Sequence, residues 1–180
     1  MKKIFFSVIV VVFLSACVQS TKSNDNNYPQ AQEQSAKPVI LHDLVTLDDA
    51  EKILGEPAHL SDSSTKREES ALTYHCAYKA NAEDTKSKKT GAIYFLFEEY
   101  DQVSAAQKKY TFIKTANQNH GIKTLDDVGE EAYFHSDREN FYFIMVRKGN
   151  KVFNMKVNKI TSTTSLDEFN RIARKITDNL

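Results

Sequence analysis

Residues 141–158 read FYFIMVRKGNKVFNMKVN. Two apolar runs rich in aromatic and β-branched residues flank Lys148-Gly149-Asn150-Lys151. That arrangement predicts a β-hairpin of Phe141–Arg147 with Val152–Asn158. Phe141, Phe143 and Met145 are expected to face Phe153, Met155 and Val157 across it. An antiparallel hairpin near the C-terminus, followed by an amphipathic helix, is the arrangement from which the rest of the chain is read.

That helix is marked by Leu166, Phe169, Ile172, Ala173, Ile176 and Leu180 at helical spacing. Ser165 and Glu168 form a capping-box pair before it. Upstream of the hairpin, a turn is read around Asp126–Glu131, then a short strand at Ala132–His135. Val103, Ala106, Tyr110 and Ile113 predict a helix, with Asp101 as its cap and Asn119-His120-Gly121 as its end. Leu72–Tyr78 and Ala92–Phe97 alternate as strands around a polar loop at 79–90. The first helix follows Thr46, carries Asp48 and Asp49 in its first turn, and stops at Gly55 before Pro57. The order is α-β-β-α-β-β-β-α. It predicts an α+β domain with an antiparallel sheet of about five strands and three helices, packed mainly on one face.

The chain has 180 residues, 24 Lys+Arg and 24 Asp+Glu. A basic excess, the usual footprint of nucleic-acid binding, is absent, so no nucleic-acid partner is expected. Two cysteines exclude a disulfide-dense scaffold. Lys2 and Lys3 precede an apolar run from Ile4 to Leu14, too short for a membrane span of about 20 residues. Leu14-Ser15-Ala16-Cys17 follows. The tetrad resembles a bacterial lipobox, with Leu14, Ser15 and Ala16 recognised by the signal peptidase. The resemblance implies that residues 1–16 are a lipoprotein signal peptide and that Cys17 becomes the lipidated, palmitate-bearing N-terminus. Val18 at the next position implies, on the enterobacterial sorting pattern, an outer-membrane protein facing the periplasm. Loss of residues 1–16 would leave 22 basic against 24 acidic residues, a mature charge of −2.

Residues 17–37 comprise that cysteine and a polar stretch whose aromatic content is Tyr28 alone. Too little apolar surface is present to offset ordering entropy, which predicts a disordered tether of roughly 25 Å mean span. Residues 38–180 are expected to form a single domain.

Thr46-x-x-Asp49-Ala50-x-x-Ile53-Leu54-Gly55-x-Pro57, Tyr74-x-Cys76-x-Tyr78, Val128-Gly129-Glu130-Glu131-Ala132-Tyr133 and Val146-Arg147-x-Gly149-Asn150 occur in that order. Together they are similar to small α+β lipoproteins of unknown function, best populated among actinobacteria, some of which look like PsbP-type α/β/α sandwiches. The resemblance spans about residues 44–180. Relatives often carry a second domain cysteine able to pair with the Cys-x-Tyr one, and this chain has none. No catalytic residue is carried over from that family.

The residues offer little else in the way of chemistry. Cys76, the one domain cysteine, is read as a buried core thiol rather than a nucleophile, and His75 points to the opposite strand face. His42, His59, His75, His120 and His135 have no zinc spacing, so no metal is expected. The acidic pairs Asp48-Asp49, Glu68-Glu69, Glu98-Glu99, Asp126-Asp127 and Glu130-Glu131 read as solvated turns. No catalytic residue and no cofactor are expected. Tyr94, Tyr133, Phe134 and Tyr142 are placed opposite the core face, lining a groove or partner surface, unless helices cover both faces and bury them. The expected function is a non-enzymatic binding or interaction domain, lipid-anchored in the cell envelope, with a protein partner there or a small apolar ligand. The alternatives are an envelope hydrolase or thiol enzyme using Cys76 or a histidine, and an inhibitor or immunity-type lipoprotein.

Overall fold

The computed structural model describes residues 39–180. The lipobox, Cys17 and the tether lie outside the described residues. Besides two 3-10 turns at Leu41–Asp43 and Gln118–His120, the described chain forms ten α-helices and strands. They are α1 (Leu47–Leu54), β1 (Ala58–Arg67), β2 (Ala71–Ala80), β3 (Ala92–Tyr100), α2 (Val103–Asn117), β4 (Lys123–Leu125), β5 (Glu131–Ser136), β6 (Phe141–Lys148), β7 (Lys151–Asn158) and α3 (Leu166–Asp178). The class is α+β, and its three helices accompany a seven-stranded antiparallel sheet of order β1-β2-β3-β7-β6-β5-β4.

Two strands were not expected, and the element order changes with them. β1 reads AHLSDSSTKR and is exposed at every position but Ala58. It has no apolar alternation to detect. Its backbone ladder with β2, from Ala58↔Ala80 to Arg67↔Leu72, holds it on the sheet edge. β4 is three residues long and pairs with β5 through Lys123↔Phe134 and Leu125↔Ala132.

Helices cover both sheet faces. α1 and α3 pack one face, where Ile53, Leu54, Phe169, Ile172 and Ile176 meet Phe95, Ile144, Phe153 and Met155. α2 packs the other face through Ala106 and Tyr110 against Tyr133, Met145 and Val152. Two of the three helices thus share one face, and the third takes the other. The hairpin register is corrected. Gly149, with φ 57°, and Asn150 make the turn, and Ile144↔Met155 and Val146↔Phe153 pair. Phe143 pairs with Lys156 instead, so Phe143 and Met145 face α2 while Phe153, Met155 and Val157 face α1 and α3. β6 is apolar at odd and even positions alike, so alternation alone could not choose its face.

The quoted motifs lock the two halves. Thr46 and Asp49 form a complete capping box, and buried Asp49 also accepts from Lys175 of α3 at 2.7 Å. Tyr78 donates its hydroxyl to the Val45 carbonyl at 2.9 Å in the interior. Arg147, 5% exposed at its side chain, is held by Glu130, Glu131 and the Gly149 carbonyl. Gly129, with φ 65°, lets this turn touch β6, since a Cβ there would lie 2.6 Å from Val146 Cγ1. Asp49, Glu98, Glu130 and Glu131 thus do structural work, which corrects their reading as solvated turns. The Asp101 cap is also corrected: Gln102 precedes α2 without a side-chain cap, and Asp101 pairs with Arg67. At α3 the capping box is half made, because Ser165 accepts from the Glu168 amide while the Glu168 carboxylate binds Arg171.

Candidate functional site

Antiparallel register brings one set of side chains to the α3 face at the β4 edge. Lys123 and Leu125 share a face of β4, and Lys123 pairs with Phe134 of β5. Ser136 pairs with Tyr142 of β6, two residues on along the same face. α3 crosses above them and presents Leu166 and Asn170 four residues apart, on one helix side. Between helix and sheet lies a cleft of about 610 Å³. That volume is in the range of small-molecule sites.

Its floor is aromatic. Phe134 and Tyr142 lie 6.2 Å apart by ring centroids, and both pack on buried Phe169, at 6.4 and 5.8 Å. Leu125 and Leu166 extend the apolar surface. The wall at one end is the β5–β6 turn. Asp137 accepts the backbone amides of Glu139, Asn140 and Phe141, and these contacts hold its carboxyl well below its ordinary value. Ser136 accepts from the Arg138 amide and donates to the Phe141 carbonyl. The turn is thereby built to carry Arg138 at φ 65°, a backbone conformation uncommon for a side chain of this kind. Arg138 and Lys123 both line the cleft, and no carboxylate does. The chain has arginines at 67, 138, 147, 171 and 174; among the described residues all but Arg138 are ion-paired.

The four aromatic residues expected on one surface fall in three places. Phe134 and Tyr142 meet in the cleft. Tyr133 is fully buried on the opposite face, 6.0 Å from the Tyr110 ring. Tyr94, 48% exposed, is on β3 and pairs with Ala77 and Lys156. Neighbouring positions on one strand face opposite ways, so Tyr133 and Phe134 could not both belong to one patch. Sequence reading missed Lys123, Leu125, Arg138, Leu166 and Asn170. They come from segments far apart in the chain, and only Leu166 had been singled out, as part of a helix face.

The groups suited to nucleophilic chemistry are placed differently. Cys76 is 1% exposed, and burial pushes its thiol up from the ordinary value against the opposing pull of the Tyr74 and Tyr78 hydroxyls. A thiol in that setting is a core side chain, not a nucleophile. His75, on the other face of β2, bonds Ser64 Oγ through Nδ1 and Asp62 Oδ2 through Nε2, each at 2.9 Å. This serine–histidine–aspartate array stands on the open β1–β2 surface, with Asp62 68% exposed at its side chain. Catalytic hydrogen bonds gain their strength in sites that exclude water, and this surface does not. The array ties the polar edge strand β1 to β2. His120 and His135 stack at 6.2 Å, but among the described residues no group of three or more His, Cys, Asp or Glu is placed to hold a metal. No helix among the described residues is long and apolar enough to cross a membrane.

No protein-family model matches the chain, and searches of curated proteins and of solved structures likewise return no match.

Proposed function

We propose that the chain is a lipid-anchored cell-envelope protein whose domain binds a small ligand without chemically altering it. The lipobox at Leu14-Ser15-Ala16-Cys17 supports the anchor, with lipid on Cys17 and residues 18–37 as the tether. The address that goes with it is the periplasmic side of an outer membrane. The cleft under α3 carries the binding half of the reading. It joins an apolar, aromatic floor to a few polar side chains, the composition typical of ligand sites. Cys76 and the Ser64–His75–Asp62 array are elsewhere, in the core and on an open sheet face.

The test is native mass spectrometry of the full chain carrying Cys17→Ser, after incubation with an organic extract of bacterial envelope. A bound small-molecule mass is expected on this protein and not on its Asn170→Trp variant, whose indole fills the cleft. A mass retained equally by both variants, or none on either, overturns the assignment.

A further inference from the structure

We infer that the cleft takes a single-chain amphiphile with an anionic oxyanion head, the head lying between Lys123 and Arg138 and the apolar chain over Leu125, Phe134 and Tyr142. The inference rests on the reading of the cleft as a ligand site, and adds the chemical class of the ligand.

Register sets two cations against the aromatic floor of the cleft. β4 runs antiparallel to β5, so Lys123, at the start of β4, lies beside Phe134 near the end of β5. Arg138 follows in the turn that leaves β5. Both cations therefore come to the same end of the sheet. Leu125, beside Ala132, lies toward the other end. The cations thus flank one end of the apolar floor: Lys123 lies opposite Phe134, Arg138 follows Ser136, which pairs with Tyr142, and Leu125 extends the floor away from both.

The charge at that end is not spent inside the protein. Arg171 is held by Glu168 and Arg174 by Asp127, both within 2.7 Å. Of the two carboxylates that flank Arg138 in sequence, Asp137 is occupied by three backbone amides and the Asn140 side chain, and Glu139 makes no ion pair with it among the described residues. Glu168, in the first turn of α3, points its carboxylate at Arg171. Lys123 and Arg138 are left without an ion-pair partner among the described residues. A guanidinium offers a planar fork that fits a carboxylate or phosphate, and the ammonium adds a second positive charge. Asn170, on the helix above, has no side-chain partner among the described residues and adds a neutral polar group to the wall.

The experiment uses the full chain with Cys17→Ser, so that no covalent lipid competes, and leucine methyl NMR of Leu125 and Leu166. Four probes share a twelve-carbon chain: dodecanoate, dodecyl phosphate, dodecanol and dodecyltrimethylammonium. The two anions are expected to shift both methyls saturably and at least tenfold more tightly than dodecanol, with the cation weakest. The tighter of the two anions identifies the head as carboxylate or phosphate. In the Lys123→Gln/Arg138→Gln variant the anions should fall to the dodecanol affinity, with dodecanol itself unchanged. Both side chains are exposed, so the fold should be unaffected. Dodecanol or the cation binding as tightly as the anions, or an anion preference that survives the double variant, overturns the charge assignment and leaves the cleft reading standing. No shift at Leu125 or Leu166 with any probe overturns both.

Discussion

Tyr78, Tyr110 and Tyr133 are all buried, and their hydroxyls meet different fates. Burial pushes the Tyr78 phenol up to about 12, and its hydroxyl donates to the Val45 carbonyl. Burial likewise pushes the Tyr133 phenol up to about 12, yet Tyr110 Oη and Tyr133 Oη have no hydrogen-bond partner among the described residues. A satisfied buried hydrogen bond is worth about 0.5–1.5 kcal/mol net, whereas an unsatisfied group costs about 1–3 kcal/mol. Tyr78→Phe should therefore lower stability by about 1 kcal/mol. Tyr110→Phe and Tyr133→Phe should leave it unchanged or raise it. Urea denaturation of the three variants checks this, and equal losses in all three would contradict the assignment. The sequence placed Tyr78 on a strand face, Tyr110 on a helix face and Tyr133 on a candidate surface, and said nothing of their hydroxyls. Whether a hydroxyl finds a carbonyl depends on a residue 33 positions away in the one case with a partner.

At the scale of elements, Asp49 is the clamp between α1 and α3. Burial pushes its carboxyl up, but Lys175 and the Thr46 contacts outweigh burial and hold it below its ordinary value of 3.8. A carboxylate depressed by folding stabilises the native state above its unfolded-state value. That contribution is lost as pH falls through the lower, folded value. The protein should lose stability below about pH 4. Asp127 and Glu130, also held low, add to the same slope through Arg174 and through the Gly149 amide and Arg147. Asp49→Asn should lower stability near neutral pH by roughly 1.5–3 kcal/mol, the scale of hydrogen bonds to charged groups. Its acid-side decline should be shallower than that of the parent. Denaturation midpoints at pH 7 and pH 3 measure both effects, and parallel declines would remove Asp49 from the account. Thr46, Asp49 and Gly55 were legible as cap and stop because capping is local chemistry. Lys175, which completes the clamp, is 126 residues away and left no local trace.

For the whole molecule, the Cys76 thiol reports on the closed core. It is enclosed by the sheet and by the helices α1 and α3. Iodoacetamide, with the modified site located by peptide mass mapping, should label Cys76 in the denatured chain and not in the native one. Rapid native labelling at Cys76 would mean that the core opens or that the thiol is activated. The elements with an apolar period were readable along the chain: α1, α2, α3, β2, β3 and the β6–β7 hairpin, because burial on one side leaves a repeat in the order of residues. β1 was not readable, since a polar edge strand is held by its backbone ladder and carries no such repeat. The facing of β6 was not readable either, since a strand covered on both sides is apolar at every position and gives no parity. Half of the candidate site shared that obscurity. Phe134 and Tyr142 were visible as surplus aromatics, while Lys123, Arg138 and Asn170 look like ordinary polar residues until register and the crossing of α3 bring them to one cleft. Local patterns thus suffice for most of the elements. Long-range pairing, which no local pattern encodes, selects the faces, the buried charges and the cleft.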